Sequence, residues 1–321
     1  MKLTLLACHG SGNDFLLLDE VSGQNPPIPE QSRAQLSRTL CHREQGIGAD
    51  GILYYQPSTV ADRMMRMYNP DGTEAEMCGN GLRCAGRYAI ESLQQTSVLI
   101  ETPQAKLRVE QAEPIIPGIP SYAAEIGPVS LHTASLPMQT TQQHWNDQPI
   151  PDLPSNLRFT ALSIPNPHIV TFVDHIDEAM VRTIGQTAND IAVFPQGVNL
   201  SVVNIMGPNT LFVMTYERGV GITQACGTAM SASSYVSVLQ KHTQATQPIK
   251  VYNNGGMVLC DVHLDAQQVM LQGNATYTAN HTISLDEAGT TITERQTTQT
   301  YAAETQAYAA LQAHVQQVMH A

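Results

Sequence analysis

Short apolar runs broken by Gly, Pro, Asn and Asp turns make up most of the chain, and two longer runs with helical periodicity stand among them. Residues 2–7 and 15–18 read as strands around the turn His9-Gly10-Ser11-Gly12-Asn13-Asp14. Residues 31–40 read as a helix, and 52–55 and 63–68 as strands, the last delivering Asn69. Leu82, Ala85, Gly86, Ala89, Ile90 and Leu93 recur at helical spacing, so a helix starts just after Cys78. Residues 98–101 and 106–111 form a hairpin, the proline-rich stretch 113–120 a linker, and strand 122–126 carries the chain into a second half. There the outline repeats. Strands 160–164 and 169–173 flank the turn Pro165-Asn166-Pro167-His168, stiffened by its two prolines. A helix at 176–185 and strands at 200–206 and 211–216 follow. A small and apolar run, 230–239, then continues a helix that opens after Cys226, and strands 250–252, 257–263 and 269–272 close the half. Residues 128–154, rich in Thr, Gln and Pro, read as an irregular surface excursion with Trp145 as a packing anchor. Beyond about residue 285 the composition shifts to Thr, Gln and Ala, and residues 301–318 suit a helix with apolar points at Leu311, Val315 and Val318. Packing on the body, self-association and poor order are all open to this tail.

The chain has 321 residues, enough for two cores, and an ordinary 42% hydrophobic content. A net charge of −12 with 16 Lys+Arg and no basic cluster argues against nucleic-acid binding. No apolar stretch is long enough to span a membrane. Leu5-Leu6-Ala7-Cys8 resembles a lipoprotein box, but the preceding apolar run is far short of a signal segment, so the expected location is cytoplasmic. The six cysteines should then be mostly reduced, and none forms a Cys-x-x-Cys pair, so no metal site is expected. The glycines of Gly46-Ile47-Gly48-Ala49-Asp50-Gly51 are not followed by a helix or a Lys-Ser/Thr pair, which argues against a nucleotide.

The chemistry concentrates at two places. Cys78-Gly79-Asn80-Gly81 and Cys226-Gly227-Thr228-Ala229 each open a helix. A cysteine there sits in the positive end of the helix dipole, which favours the thiolate and lowers its pKa. The first-turn amides suit an anion such as a carboxylate. Two such thiols can face one anion from opposite sides. Inverting an α-carbon needs a base on one face and a conjugate acid of matched pKa on the other, and a thiolate–thiol pair meets this need. Helix-end amides around the α-carboxylate can stabilise the developing carbanion.

Six motifs carry a resemblance: HGSGNDF from His9, GIGADG from Gly46, NPDGTEAEMCGNG from Asn69, PNPH from Pro165, ERG from Glu217 and ACGT from Ala225. Together and in this order they resemble the diaminopimelate epimerase family over roughly residues 1–285. The resemblance implies an α+β fold of two pseudo-symmetric domains. Each is a curved, mostly antiparallel sheet wrapped around a central helix, with the active site in the cleft between them. The expected division is 1–125, 126–272, a return at 273–285 to the first domain, and a partly helical extension at 286–321. The implied reaction is cofactor-independent epimerisation of LL-2,6-diaminopimelate to the meso form, in lysine and peptidoglycan precursor synthesis, by a homodimer. Cys78 and Cys226 are then the acid/base thiols, and His168 and Glu217 sit beside them and help set their protonation. Gly79, Asn80, Gly227 and Thr228 line the reacting carboxylate. Asn13, Asn69, Asn166, Asn199 and Arg218 hold the substrate, especially its distal amino-acid end. The chemistry agrees: an arginine grips a carboxylate in two prongs, and an asparagine can serve ammonium and carboxylate alike.

The sequence departs from the family pattern at Ile222, where Glu is frequent, at Pro165, where Gly is frequent, at Gly51, where some members have Gln, and at Ala229-Met230. These touch substrate preference and rate more than reaction type. A racemase of another amino acid on the same fold, such as histidine, is the alternative. Proline-racemase-like relatives carry His where this chain has Asn80. A cysteine hydrolase or thiol redox protein would leave the second Cys-Gly helix start unexplained, and a binding protein would need neither thiol. No pyridoxal lysine motif is evident. Glu74 and Glu76 read as solvent or turn residues, and Cys8-His9, as strand neighbours on opposite faces, do not read as a reactive pair.

Overall fold

The computed structural model describes residues 1–75 and 77–319, so Glu76 lies outside the described residues. The contacts divide the chain into two compact units, Met1–Ala124 with Gly273–His314, and Glu125–Gln272 with the last turn of the chain from Val315. The first unit runs β1 (Lys2–Gly10), β2 (Asn13–Asp19), α1 (Glu30–Cys41), β3 (Gly51–Gln56), β4 (Arg63–Tyr68), α2 (Gly79–Leu93), β5 (Ser97–Glu101), β6 (Lys106–Ala112) and β7 (Ser121–Ile126). Hairpins β1–β2, β3–β4 and β5–β6 are antiparallel. They are joined by parallel pairings, Phe15 opposite Gly51 in β2–β3 and Arg63 opposite Ile100 in β4–β5. Each parallel step needs a crossover, and α1 and α2 supply them.

The second unit repeats this plan with β8 (Thr160–Ser163), β9 (Pro167–Phe172), α3 (Glu178–Asp190), β10 (Asn199–Gly207), β11 (Thr210–Glu217), β12 (Gly221–Thr223), α4 (Gly227–Leu239), β13 (Ile249–Asn253), β14 (Gly256–His263) and β15 (Gln268–Asn274). Again three hairpins are antiparallel, β8–β9, β10–β11 and β13–β14. Parallel pairings β9–β10 and β11–β13 link them, across α3 and α4. The chain then returns to the first unit. Strand β16 (Thr276–Leu285) pairs antiparallel with β1, β17 (Ile292–Thr300) pairs with β16, and helix α5 (Ala302–Met319) follows.

In each unit the second crossover helix is enclosed by sheet: α2 contacts β1 to β6, and α4 contacts β8 to β11, β13 and β14. Enclosure explains their composition. In α4 every residue from Gly227 to Val238 is buried, so the small Ala and Ser side chains have no polar face to present. Ser231 and Ser234 return their hydroxyls to the carbonyls of Gly227 and Met230 four residues back. In α2, a Cβ on Gly86 would lie 2.4 Å from Cγ1 of Val109, so only glycine lets the helix lie so close to β6. The opposite sheet faces bury Leu36 and Leu40 of α1 with Leu3, Leu16 and Ile52, and Val181 and Ile184 of α3 with Ile169 and Leu200.

One expectation changes. Residues 128–154 are irregular but not a surface excursion: Leu136, Met138, Trp145, Ile150 and Leu153 all enter the core under α3. Irregular backbone is tolerated there because side chains and neighbouring main chain answer it, as where the Trp145 indole donates to the carbonyl of Gln148. The tail is ordered into β17 and α5, with Tyr308, Leu311 and Val315 buried and Val318 only partly so. Strand β17, ITERQTTQT, hides from a periodicity reading because nearly all its side chains are exposed.

Candidate active site

Both cysteines are N-caps. Cys78, half-buried and extended at φ −145°, precedes α2, and its Sγ accepts the Gly81 amide at 3.3 Å. Cys226, buried, precedes α4 at φ −124°.

Around Cys78 the asparagines form a directed chain. Asn13, at the start of β2, donates from Nδ2 to Asp50 Oδ2 at 2.8 Å and accepts from Asn80 Nδ2 at 3.2 Å. Asn80 Oδ1 accepts from Arg83 Nη2 at 2.9 Å. Arg83, wholly buried in α2, also donates to the Asn274 carbonyl and to Ser11. An acceptor-only carboxylate at one end and a donor-only guanidinium at the other fix both amides in one sense. Arg43 holds Asp50 at 2.6 Å and Asp14 through two contacts. Burial and the neighbouring Asp14 push the Asp50 carboxyl up. Burial pushes Asp14 the same way, but hydrogen bonds from Arg43 and Asp50 outweigh it and leave Asp14 lowered. Asn69 follows β4, where its backbone amide and Nδ2 both go to Thr73. Glu74 pairs with Arg66. Cys8 hydrogen-bonds Cys84, while the Nδ1 of its neighbour His9 faces the Asn274 side-chain amide.

Around Cys226 a second network centres on Thr228. The Thr228 hydroxyl lies 3.4 Å from Cys226 Sγ, 3.1 Å from His168 Nε2 and 3.2 Å from Asn166 Nδ2. Asn166 Oδ1 faces His168 Nε2 at 3.1 Å. His168 is fully buried at the start of β9, and burial with the nearby Arg218 pulls its pKa down to about 3. It stays neutral at working pH and reaches Cys226 only through Thr228. Glu217 ends β11, and its Oε1 accepts from Thr223 of β12 at 2.5 Å. Asn199 donates to the Pro167 carbonyl and accepts the Arg218 amide at 2.9 Å, tying the start of β9 to the end of β11. The Arg218 side chain runs over Gly197 and donates to the Gln196 carbonyl.

The expected fall in thiol pKa does not hold for Cys226. Burial, then the Glu217 carboxylate, push it well up, while the Thr228 hydroxyl and the Ala229 amide pull against them. A dipole acts at a helix end in any environment, but desolvation of a buried thiolate outweighs it here. Sequence reasoning also passed over Asp50 and Arg83. The one available signal for Asp50 was its place in the glycine turn that enters β3. No signal marks Arg83, whose partners Ser11 and Asn274 are remote in sequence.

Two repeated units, each opening its enclosed helix with Cys-Gly, define the class: a mixed α+β epimerase-like fold. Solved structures share it, among them a hydroxyproline epimerase from Agrobacterium vitis with bound trans-4-OH-L-proline (TM-score 0.60, 15% identity, 90% of this chain and 95% of that one). A PhzF-family phenazine biosynthesis protein from Bacillus anthracis is another (TM-score 0.62, 14% identity, 89% and 100%). The sequence is similar to diaminopimelate epimerases of Clostridium acetobutylicum, 43% identical over 291 residues (89% of this chain, 87% of that one), and of Enterococcus faecalis, 44% identical over 288 residues (87% and 88%). The family profile described as diaminopimelate epimerase matches residues 5–114 and 160–278. The chain belongs to the diaminopimelate epimerase family and is an isomerase. Among the described residues no helix is long and apolar enough to cross a membrane, and no three His, Cys, Asp or Glu side chains cluster as metal ligands would.

Proposed function

We propose that this protein epimerises LL-2,6-diaminopimelate to the meso isomer without a cofactor, using Cys78 and Cys226 as its two acid/base groups. Identity above 40% to diaminopimelate epimerases over nearly nine-tenths of the chain carries the reaction. The N-cap position of both cysteines supports the mechanism. The raised pKa of Cys226 makes it the proton donor at rest, with Cys78 taking the α-proton. Roles exchange in the reverse direction. The amides of Gly79, Asn80, Gly227 and Thr228 receive the reacting carboxylate, and Asn13, oriented by Asp50, turns its second N–H to it. Asn69, Asn166 and Arg218 take the distal amino-acid end. Asn199 serves by fixing the Arg218 backbone. Glu217 and neutral His168 set the protonation of the Cys226 region. The working form is a cytoplasmic homodimer, which light scattering on the purified protein would test.

The reduced protein, incubated with LL-diaminopimelate in D₂O, should exchange the α-hydrogen and form the meso isomer. Exchange only with another amino acid would move the substrate and keep the two-thiol mechanism. Exchange with none would overturn the proposal.

A further inference from the structure

We infer that the Thr228 hydroxyl is a preset hydrogen-bond donor to Cys226 Sγ, oriented by Asn166 and His168, and that it holds the Cys226 thiolate once the proton has left. The inference rests on the reading of Cys226 as an acid/base thiol. Its proton logic is closed. Asn166 Oδ1 can only accept, so His168 Nε2, 3.1 Å away, carries the hydrogen. The neutral ring then has its lone pair on Nδ1, which is buried and has no hydrogen-bond partner. A second ring proton there would be stranded, so His168 is a fixed donor. Asn166 Nδ2 also points at Thr228 Oγ1 as a donor. Two of the three polar neighbours of the hydroxyl are therefore donors, and Cys226 Sγ alone can accept its hydrogen.

The consequence belongs to the half-reaction in which Cys226 acts as acid. Its S–H bond breaks, the proton goes to the α-carbon, and the electron pair stays on sulfur. Glu217 on β11 opposes that charge, His168 on β9 is neutral, and Arg218 beside His168 adds positive charge. The hydroxyl and the Ala229 amide are the donors aimed at the sulfur, while the Glu217 carboxylate accepts from the thiol and favours its protonated form. Cys78 shares the amide, from Gly81, and differs at the next position: Asn80, the counterpart of Thr228, turns to Asn13 and Arg83.

The test is the pH profile of iodoacetamide alkylation at Cys226, followed by mass mapping in the parent, Thr228→Val, Thr228→Ala and Thr228→Ser proteins, with Cys78 as the internal reference. Val and Ala should raise the Cys226 midpoint and slow its alkylation about tenfold below it, as loss of one hydrogen bond to a charged group implies. Ser should restore the parent profile, and the Cys78 profile should not move. Superimposable Cys226 profiles in parent, Val and Ala would overturn the inference, as would a Ser variant that behaves like Val. The Ala variant keeps the test valid if Val fails to fold. Alkylation needs no substrate, so a shifted profile in a protein that epimerises nothing would sink the proposed reaction and leave the Thr228 role standing.

Discussion

Glu304 on α5 ties the C-terminal segment to the helix that carries Cys78 at its start. Its two oxygens take Arg87 Nη1 at 2.6 Å and Nη2 at 2.8 Å, and one of them also accepts the Tyr277 amide at 2.9 Å. Arg87 has 7% of its side chain exposed and Glu304 17%, so water cannot replace the carboxylate. Burial opposes the Arg87 charge, and Glu304 is the strongest group offsetting it. Glu304→Ala leaves the guanidinium with Glu91 and the Ala275 carbonyl. Breaking a buried pair costs about 3–5 kcal/mol, and the two surviving partners put this case at the low end, about 3 kcal/mol. That lowers Tm by roughly 6–12 °C for a unit of this size. Arg182→Ala, which removes an exposed i,i+4 pair with Glu178, should cost no more than about 0.5 kcal/mol. Calorimetry of both variants decides. A Glu304→Ala shift no larger than that of Arg182→Ala would refute the argument that the extension braces α2.

Three further outcomes are expected. Asp50→Ala removes the acceptor that orients Asn13, so kcat/KM should fall about 10–100-fold, the worth of a hydrogen bond to a charged group; an unchanged kcat/KM would break the link. Gly86→Ala should cost about 1–3 kcal/mol by overpacking, and Val109→Ala in the same protein should return part of it, measured by urea unfolding. His168 and His9 have folded pKa values lowered to about 3 and about 4, against about 6.5 unfolded. The folded state therefore binds fewer protons, stability is complete above about pH 6.5, and it declines as pH falls toward 4. The urea midpoint should drop between pH 7 and pH 5, and the His168 ring resonances should stay flat there; titration near 6.5 would contradict the burial argument.

What the sequence makes legible here depends on how local the cause is. A helix that starts after Cys78 or Cys226 announces itself through a glycine, a cap and a periodic run within a few residues, and both α2 and α4 begin at the glycine after the cysteine. Strand β17 and the buried segment from Leu136 to Leu153 carry no such signal, because one faces water and the other packs without a period. The thiol pKa of Cys226 failed for a related reason. The dipole at its helix end is local and readable, whereas the burial and the Glu217 carboxylate that outweigh it come from the fold around it. The same limit applies to direction. Sequence names the asparagines, but an amide can face either way until its partners are known. Asp50 and Arg83 orient Asn13 and Asn80, and His168 orients Asn166. These three are ionisable or donor-fixed groups buried or clamped behind the apparent ligands. The two cysteine surroundings share a plan in sequence and topology, with a first-turn amide at each sulfur, and at Cys226 a hydroxyl held by a neutral histidine is added. If the two thiols exchange acid and base roles, a thiol raised by burial and Glu217 needs a group that lowers it again, and the Thr228 hydroxyl stands on that side.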